Sequence, residues 1–335
     1  EYPPKIEVKI PVESSRKVNP RLVKVVNRSN TLRFDIYDSK NNRVVSGMRG
    51  SPEIYGLFSG VRGGEYRVEI EPDVNFSEEV VNDFEVTLTS AEMKDRPDFT
   101  YKYSGIRGMD VEGRYIYAVG SRGLEILELK GDKLELKSRD ILFGLATGIR
   151  VKNGVAYISN GPFGLSIVDV TNPEEAKLIG EELLIGISWD VEVVGGYAYV
   201  SGGVFGIQVV NINDITNPRW EDVIIVKGIG RGIRYYEGKI IVEDVNGKEL
   251  IVVDVGVKRE MKRIKLKEKI EGMEVVGDEL HIETKKDGII VYDLVNLEER
   301  ERYEDGIELL FGRYAGKKFI KMEGRKGIDV YGIRE

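Results

Sequence analysis

The stretch Gly148-Ile-Arg-Val-Lys-Asn-Gly-Val-Ala-Tyr-Ile-Ser-Asn160 is followed, three residues on, by Gly164-Leu-Ser-Ile-Val-Asp-Val-Thr-Asn-Pro173. Its short runs are rich in Val, Ile and Tyr, and Asn-Gly and Asn-Pro punctuate them. Such runs read as strands, and Asn-Gly between two of them reads as a hairpin turn. The phrase recurs. Asp190-Val-Glu-Val-Val-Gly-Gly-Tyr-Ala-Tyr-Val-Ser201 leads to Gly206-Ile-Gln-Val-Val-Asn-Ile212. Upstream, Gly108-Met-Asp-Val-Glu-Gly-Arg-Tyr-Ile-Tyr-Ala-Val119 leads to Gly123-Leu-Glu-Ile-Leu-Glu-Leu129, and weaker copies begin at Gly232, Gly272 and Gly312.

The third strand of each copy starts at Leu124, Leu165, Ile207, Leu250, Ile289 and Ile328, in steps of 41, 42, 43, 39 and 39 residues. A unit of about 40 residues carrying four short strands is a propeller blade. Six copies predict six blades. The last copy ends at its third strand, near Ile333, and lacks an outer strand. Asp98-Phe-Thr-Tyr-Lys-Tyr103 is an alternating segment with no blade of its own. It is expected to pair with the last blade, which closes the ring and removes an exposed edge.

The inner strands carry Asp110, Arg150, Glu192, Arg234, Glu274 and Arg313 at one shared position. The signs alternate without exception, and alternation closes on itself only around an even number of blades. A structural charge ring is the expectation, with ion-pair networks of the kind heat-adapted proteins favour.

The segments Gly164 to Pro173 and Tyr197-Ala-Tyr-Val-Ser201 resemble the LVIVD repeat family. The resemblance extends over residues 104–335. It implies a propeller-type repeat, found largely in secreted or surface proteins, and it brings no catalytic residues with it.

Residues 1–93 differ. Alternating runs at Lys5 to Val12, Leu22 to Asn27, Thr31 to Asp38, Arg43 to Ser46, Glu65 to Glu71 and Phe84 to Thr89 predict a β-sandwich. Phe34-Asp-Ile-Tyr-Asp-Ser-Lys-Asn-Asn-Arg-Val-Val45, with Gly64-Glu-Tyr-Arg-Val-Glu-Ile70, resembles an immunoglobulin-like or transthyretin-like domain. Glu92 to Arg96 and Pro97 mark a short linker, so the expected fold is all-β: a sandwich over 1–93 and a six-bladed propeller over 97–335, closed by the strand at 98–103.

Composition narrows the chemistry. With 57 acidic and 50 basic residues the net charge is −7 and the pI about 5.3, which argues against nucleic-acid binding through a general basic surface. There is no cysteine and one histidine, His281, so thiolate sites are excluded and any His-dependent site must use that residue. His281 lies between Leu280 and Ile282 and reads as a strand residue packed within its blade. No apolar run is long enough for a transmembrane helix. A single glutamine, Gln208, beside abundant Glu, Lys and Arg suggests a hyperthermophile, archaeal setting. The chain begins at Glu1, which is read as the result of signal-peptide removal.

No cofactor and no metal are expected. Asn211-Ile-Asn-Asp-Ile-Thr-Asn-Pro218 is oxygen-rich but repeats the turn Asp169-Val-Thr-Asn-Pro173. Gly228-Ile-Gly-Arg-Gly232 lies between blades, not at a helix N-terminus, so it does not cradle phosphate. Sequons at Asn27-Arg-Ser29 and Asn75-Phe-Ser77 are candidate N-glycosylation sites.

A binding face is expected where the loops entering the inner strands meet the loops between second and third strands. Arg107, Trp189, Arg231 and Glu271, with Phe163 and Phe205, are its candidate contacts for a protein or glycan. The segment Lys5 to Val12 is a candidate for strand exchange between copies, giving a homo-oligomer, filament or surface layer. The expected function is thus extracellular and non-enzymatic. The alternative is a propeller glycoside hydrolase or lyase using the axis-facing carboxylates Asp110, Glu192 and Glu274.

Overall fold

The computed structural model describes residues 6–12, 20–27, 32–39, 41, 43–50, 53–59, 64–72, 84–90, 92–94, 96–139, 141–142, 144–276, 278–284, 286, 288–303, 313–315, 317–323 and 326–334. All regular structure among them is β. No described helix is long and apolar enough to cross a membrane.

Near the N-terminus two sheets form. One runs Ile6–Val12, Gly64–Pro72, Leu32–Tyr37, Arg43–Gly50, and the other Glu53–Ser59, Pro20–Asn27, Phe84–Ser90. Alternate residues of both enter one core that holds Ile10, Val23, Val25, Phe34, Ile36, Ile54, Val68 and Ile70. Each such side chain, fully buried, contributes roughly 1.5–3 kcal/mol. Ile6–Val12 pairs along its whole length with Gly64–Pro72 of its own chain. Glu53–Ser59 is a strand that the periodicity does not announce, because Gly56 interrupts its apolar run. That glycine is needed: a Cβ there would lie 2.9 Å from the Phe34 ring.

Among the described residues, five four-stranded antiparallel sheets then follow one another, each with its strands in chain order. They begin with Ile106–Glu112, Gly148–Lys152, Val191–Val194, Gly230–Tyr236 and Ile270–Val276. These sheets resemble propeller blades, and consecutive ones share cores. Val119 and Leu124 pack with Ile149 and Val168, Leu165 and Ile167 with Val191 and Val210, and Ile207 with Ile233 and Ile251. A sixth sheet contains Arg313–Ala315, Lys318–Glu323 and Gly327–Arg334. Its outer neighbour is Phe99–Lys102, with Tyr101 opposite Ile328 and Phe99 opposite Val330. Glu92–Met93, at the end of the N-terminal stretch, pairs farther along the same strand through Ile333 and Arg334. Ile106, Ile116 and Leu127 of the first sheet share a core with Ile320, Ile328 and Val330 of the sixth, with Tyr103 wholly buried between them. Burial pushes the Tyr103 hydroxyl up to about 12, and it donates to the Gly123 carbonyl at 2.9 Å.

The N-terminal sheets rest against the repeats. The Arg43 guanidinium lies 3.7 Å from Asp35 of its own sheet and 3.7 Å from Glu112 of the first repeat. The Lys317 ammonium stands 4.0 Å over the Tyr55 ring, and Ile333 packs on Leu22.

Candidate functional site

The inner strands surround a cavity of about 480 Å³. At one shared register position they carry Gly108, Gly148, Gly232 and Gly272, and Asp190 takes that position in the third repeat. At two of these positions a side chain would collide with a carboxylate. A Cβ on Gly148 would lie 2.5 Å from Oδ1 of Asp190, and one on Gly232 would lie 2.8 Å from Oε2 of Glu243. The glycines therefore make space for two carboxylates, that of Asp190 from the next repeat and that of Glu243 from the second strand of the same repeat as Gly232.

Side-chain oxygens tie the first four repeats in succession. Asp110 accepts the N–H of Val111 at 2.9 Å and of Val151 at 2.8 Å. Asp190 accepts Val191 N–H at 2.9 Å and Ile233 N–H at 3.2 Å. The hydroxyl of Thr147 donates to the Ser188 carbonyl at 2.6 Å, and that of Ser201 to the Arg231 carbonyl at 2.5 Å. Glu112 receives the backbone N–H groups of Asn153 and Gly154, both at 2.8 Å.

The six alternating charges are placed as follows. Arg150 Nε lies 3.2 Å from Glu192, and Arg234 Nε lies 3.6 Å from Glu274. Arg234 turns its Nη1 to Asp190, at 3.1 Å. Asp190 thus enters the charge pattern from a different register position, one the repeat otherwise gives to glycine. Burial opposes the charge on Arg150, but Glu192, Asp190, Asp110 and Glu274 outweigh it and raise its pKa. The side chain of Arg313 lies outside the described residues.

Of the expected binding-face residues, Arg107, Trp189, Arg231 and Glu271 all line the cavity, together with Thr147, Met109 and Met273. Phe163 and Phe205 do not line it; they stand on adjoining loops, each 49% exposed, against Gly144 and Gly186. The guanidinium of Arg231 lies 5.9 Å over the Trp189 ring. Among the described residues neither Arg107 nor Arg231 makes an ion pair, and no hydrogen bond holds the Trp189 indole or the Glu271 carboxylate. Glu243 is a lining residue that sequence reasoning missed. Burial pushes its carboxyl up against the opposing pull of Arg231 and Arg234. The signal for it lay in the second strands, where Val119, Ser159, Ser201, Glu243, Glu283 and Met322 share one register.

Around this mouth the loops are apolar and exposed. Leu183, Ile185, Ile187, Val204, Ile225 and Ile229 are all open to solvent. Across residues 183–189 there is no charged side chain, in a chain that is 32% charged. The loop is held rather than loose, since Gln208, 1% exposed, pairs with both backbone groups of Ile185.

Other candidates resolve into local structure. His281 is wholly buried, with Nε2 3.2 Å from Glu279. Asp169 and Asp214 each accept the N–H and hydroxyl of the Thr two residues on, which lowers both carboxyls and makes the two oxygen-rich segments matching turns. Asn27 ends a strand, while Asn75 falls outside the described residues. Among the described residues no three metal-ligating side chains converge.

The LVIVD repeat description matches residues 143–181 and 185–220. This repeat type is found in propeller-like proteins. Comparison with curated proteins gives no match. Among solved structures, a protein of unknown function from Bacteroides thetaiotaomicron is 11% identical with a TM-score of 0.53, over 99% of this chain and 98% of that one. At that identity the likeness is one of fold. The computationally designed Ika8 protein is 10% identical at a TM-score of 0.49, covering 92% and 98%. The β-propeller domain of Cps50 (Swd1) from Myceliophteria thermophila is 12% identical at 0.48, covering 68% and 76%.

Proposed function

We propose that this chain is an extracellular or cell-surface, non-enzymatic binding protein: a six-bladed propeller carried on an immunoglobulin-like β-sandwich, holding a protein partner on the loop face around its axial mouth. One observation carries the reading. Leu183, Ile185, Ile187, Val204, Phe205 and Ile225 are exposed on three successive loops, and Gln208 fixes the backbone at Ile185. Exposed apolar side chains gathered in this way mark an interaction site. Branched aliphatic side chains suit a protein surface better than a sugar ring, so a glycan is the second reading for the same face.

The rival hydrolase would use Glu192 and Glu274, each of which is engaged by an arginine, Arg150 at 3.2 Å and Arg234 at 3.6 Å. A panel of glycan substrates separates the two functions. No turnover is expected; turnover abolished in a folded Glu192→Gln or Glu274→Gln variant would establish the hydrolase instead. A membrane-impermeant lysine cross-linker applied to intact producing cells tests the location and the face together. The expected product joins Lys227, an exposed residue of this face, to another polypeptide.

A further inference from the structure

Of the charged side chains that line the axial cavity, Arg107, Arg231, Glu243 and Glu271 make no ion pair among the described residues. Arg150 is held by Glu192, and Arg234 by Asp190 and Glu274. Arg107 and Arg231 line the same cavity without an ion pair among the described residues. The Arg231 guanidinium lies 5.9 Å from the centre of the Trp189 ring, within cation–π reach. Glu271 is exposed and opposes them with one charge. Arg107 lies in the first strand of the first repeat and Arg231 in that of the fourth, and a guanidinium meets a planar carboxylate with two parallel N–H donors.

The surroundings say what carries that carboxylate. The mouth is bordered by the aliphatic side chains of Ile185, Ile187, Val204 and Ile229, which a polyhydroxylated sugar does not need. Hot spots of protein interfaces are enriched in Trp and Arg and are ringed by contacts that exclude water. We infer that the axial mouth receives an acidic side chain or C-terminal carboxylate of a polypeptide partner, held by Arg107 and Arg231 while flanking apolar residues of the partner lie on the rim. This rests on the loop face being the partner-binding surface. The burial that pushes up the Glu243 carboxyl acts in the same direction, because it weakens the competing negative charge deep in the cavity.

The test uses the whole chain and immobilised peptides of three kinds. All share an apolar Leu, Ile, Val and Phe framework. One set carries a central Asp or Glu with an amidated end, a second the matching Asn or Gln, and a third a neutral centre with a free C-terminal carboxylate. Retention of the first or third set about tenfold above the second is expected, and which of the two is retained identifies the source of the carboxylate. Arg107→Gln and Arg231→Gln should erase that preference and leave apolar retention in place, while Glu271→Gln should increase it. Equal retention of acidic and neutral sets would overturn this inference and leave the loop-face reading standing. Acid preference unchanged in both arginine variants would overturn it as well, as would displacement of every peptide by an oligouronate that itself depends on Arg107. If no peptide is retained the inference also falls, and the cross-linking of Lys227 alone then decides the loop face.

Discussion

Gln208, the only glutamine in the chain, grips Ile185 by both backbone groups: its Oε1 accepts the Ile185 N–H at 3.1 Å and its Nε2 donates to the Ile185 carbonyl at 2.6 Å. The amide is 1% exposed, whereas the Ile185 side chain it fixes is 61% exposed. A buried polar group thus holds an apolar one outward. Folding alone gains little from presenting Ile185 to water, and a binding face gains rigidity from it, because less entropy is lost on contact.

Gln208→Leu should therefore loosen the loop at Leu183 to Ile187. The two orphaned backbone groups predict a loss of about 1–3 kcal/mol in stability. Hydrogen exchange at the Ile185 amide should rise by more than at Val209 or Val210 of the same strand. Uniform loss of protection across the sheet would show that Gln208 supports the repeat as a whole rather than the loop.

Arg234 stands between Asp190 and Glu274, at 3.1 and 3.6 Å, with its side chain 19% exposed. Arg234→Met keeps much of the volume and removes the charge, leaving two half-buried carboxylates facing each other. A loss on the order of 3 kcal/mol is expected near neutral pH. Calorimetry should show part of it restored by Asp190→Gly, which returns the third repeat to the glycine found in its neighbours. A neutral Arg234→Met would mean that the charges around the axis do not act as a unit.

Glu243 gives the account a pH signature. Burial raises its pKa in the folded chain, so between the ordinary carboxylate range and that raised value the folded state keeps a proton the unfolded state has released. Stability carried by this group accordingly falls as pH rises through that window. Glu243→Gln removes the effect. Its melting temperature should gain on the parent's as pH is raised from acidic to neutral, and parallel curves would contradict the assignment.

The architecture was legible where repetition multiplied the signal. Alternation, glycine-containing turns and a period of about 40 residues recur at Gly148, Asp190 and Gly108, so each copy corroborates the others, and the closing segment at Phe99 stood out by having no copy of its own. Arg107, Trp189, Arg231 and Glu271 could be placed at one mouth because they share the entry to the inner strand. What escaped was whatever broke the repeat. Glu53–Ser59 was hidden by Gly56, whose role depends on the distant Phe34 ring. Asp190 looked like an ordinary strand start, although its carboxylate fills the space that Gly148 leaves open. Glu243 lies in a second strand, and only the ladder pairing turns it toward the axis, opposite Gly232. Gly56 and Phe34 lie 22 positions apart and Gly148 and Asp190 lie 42 apart, beyond the reach of any local pattern.

The most direct test of the binding face compares the parent chain with Leu183→Ser, Ile185→Ser and Ile225→Ser combined. These side chains are 75%, 61% and 78% exposed, so folding should change by no more than about 0.5 kcal/mol per site. Cross-linking of intact cells through Lys227 should yield a partner adduct with the parent and none with the triple variant at equal melting temperature. An adduct of undiminished yield in the triple variant would contradict the claim that this face is where the protein does its work.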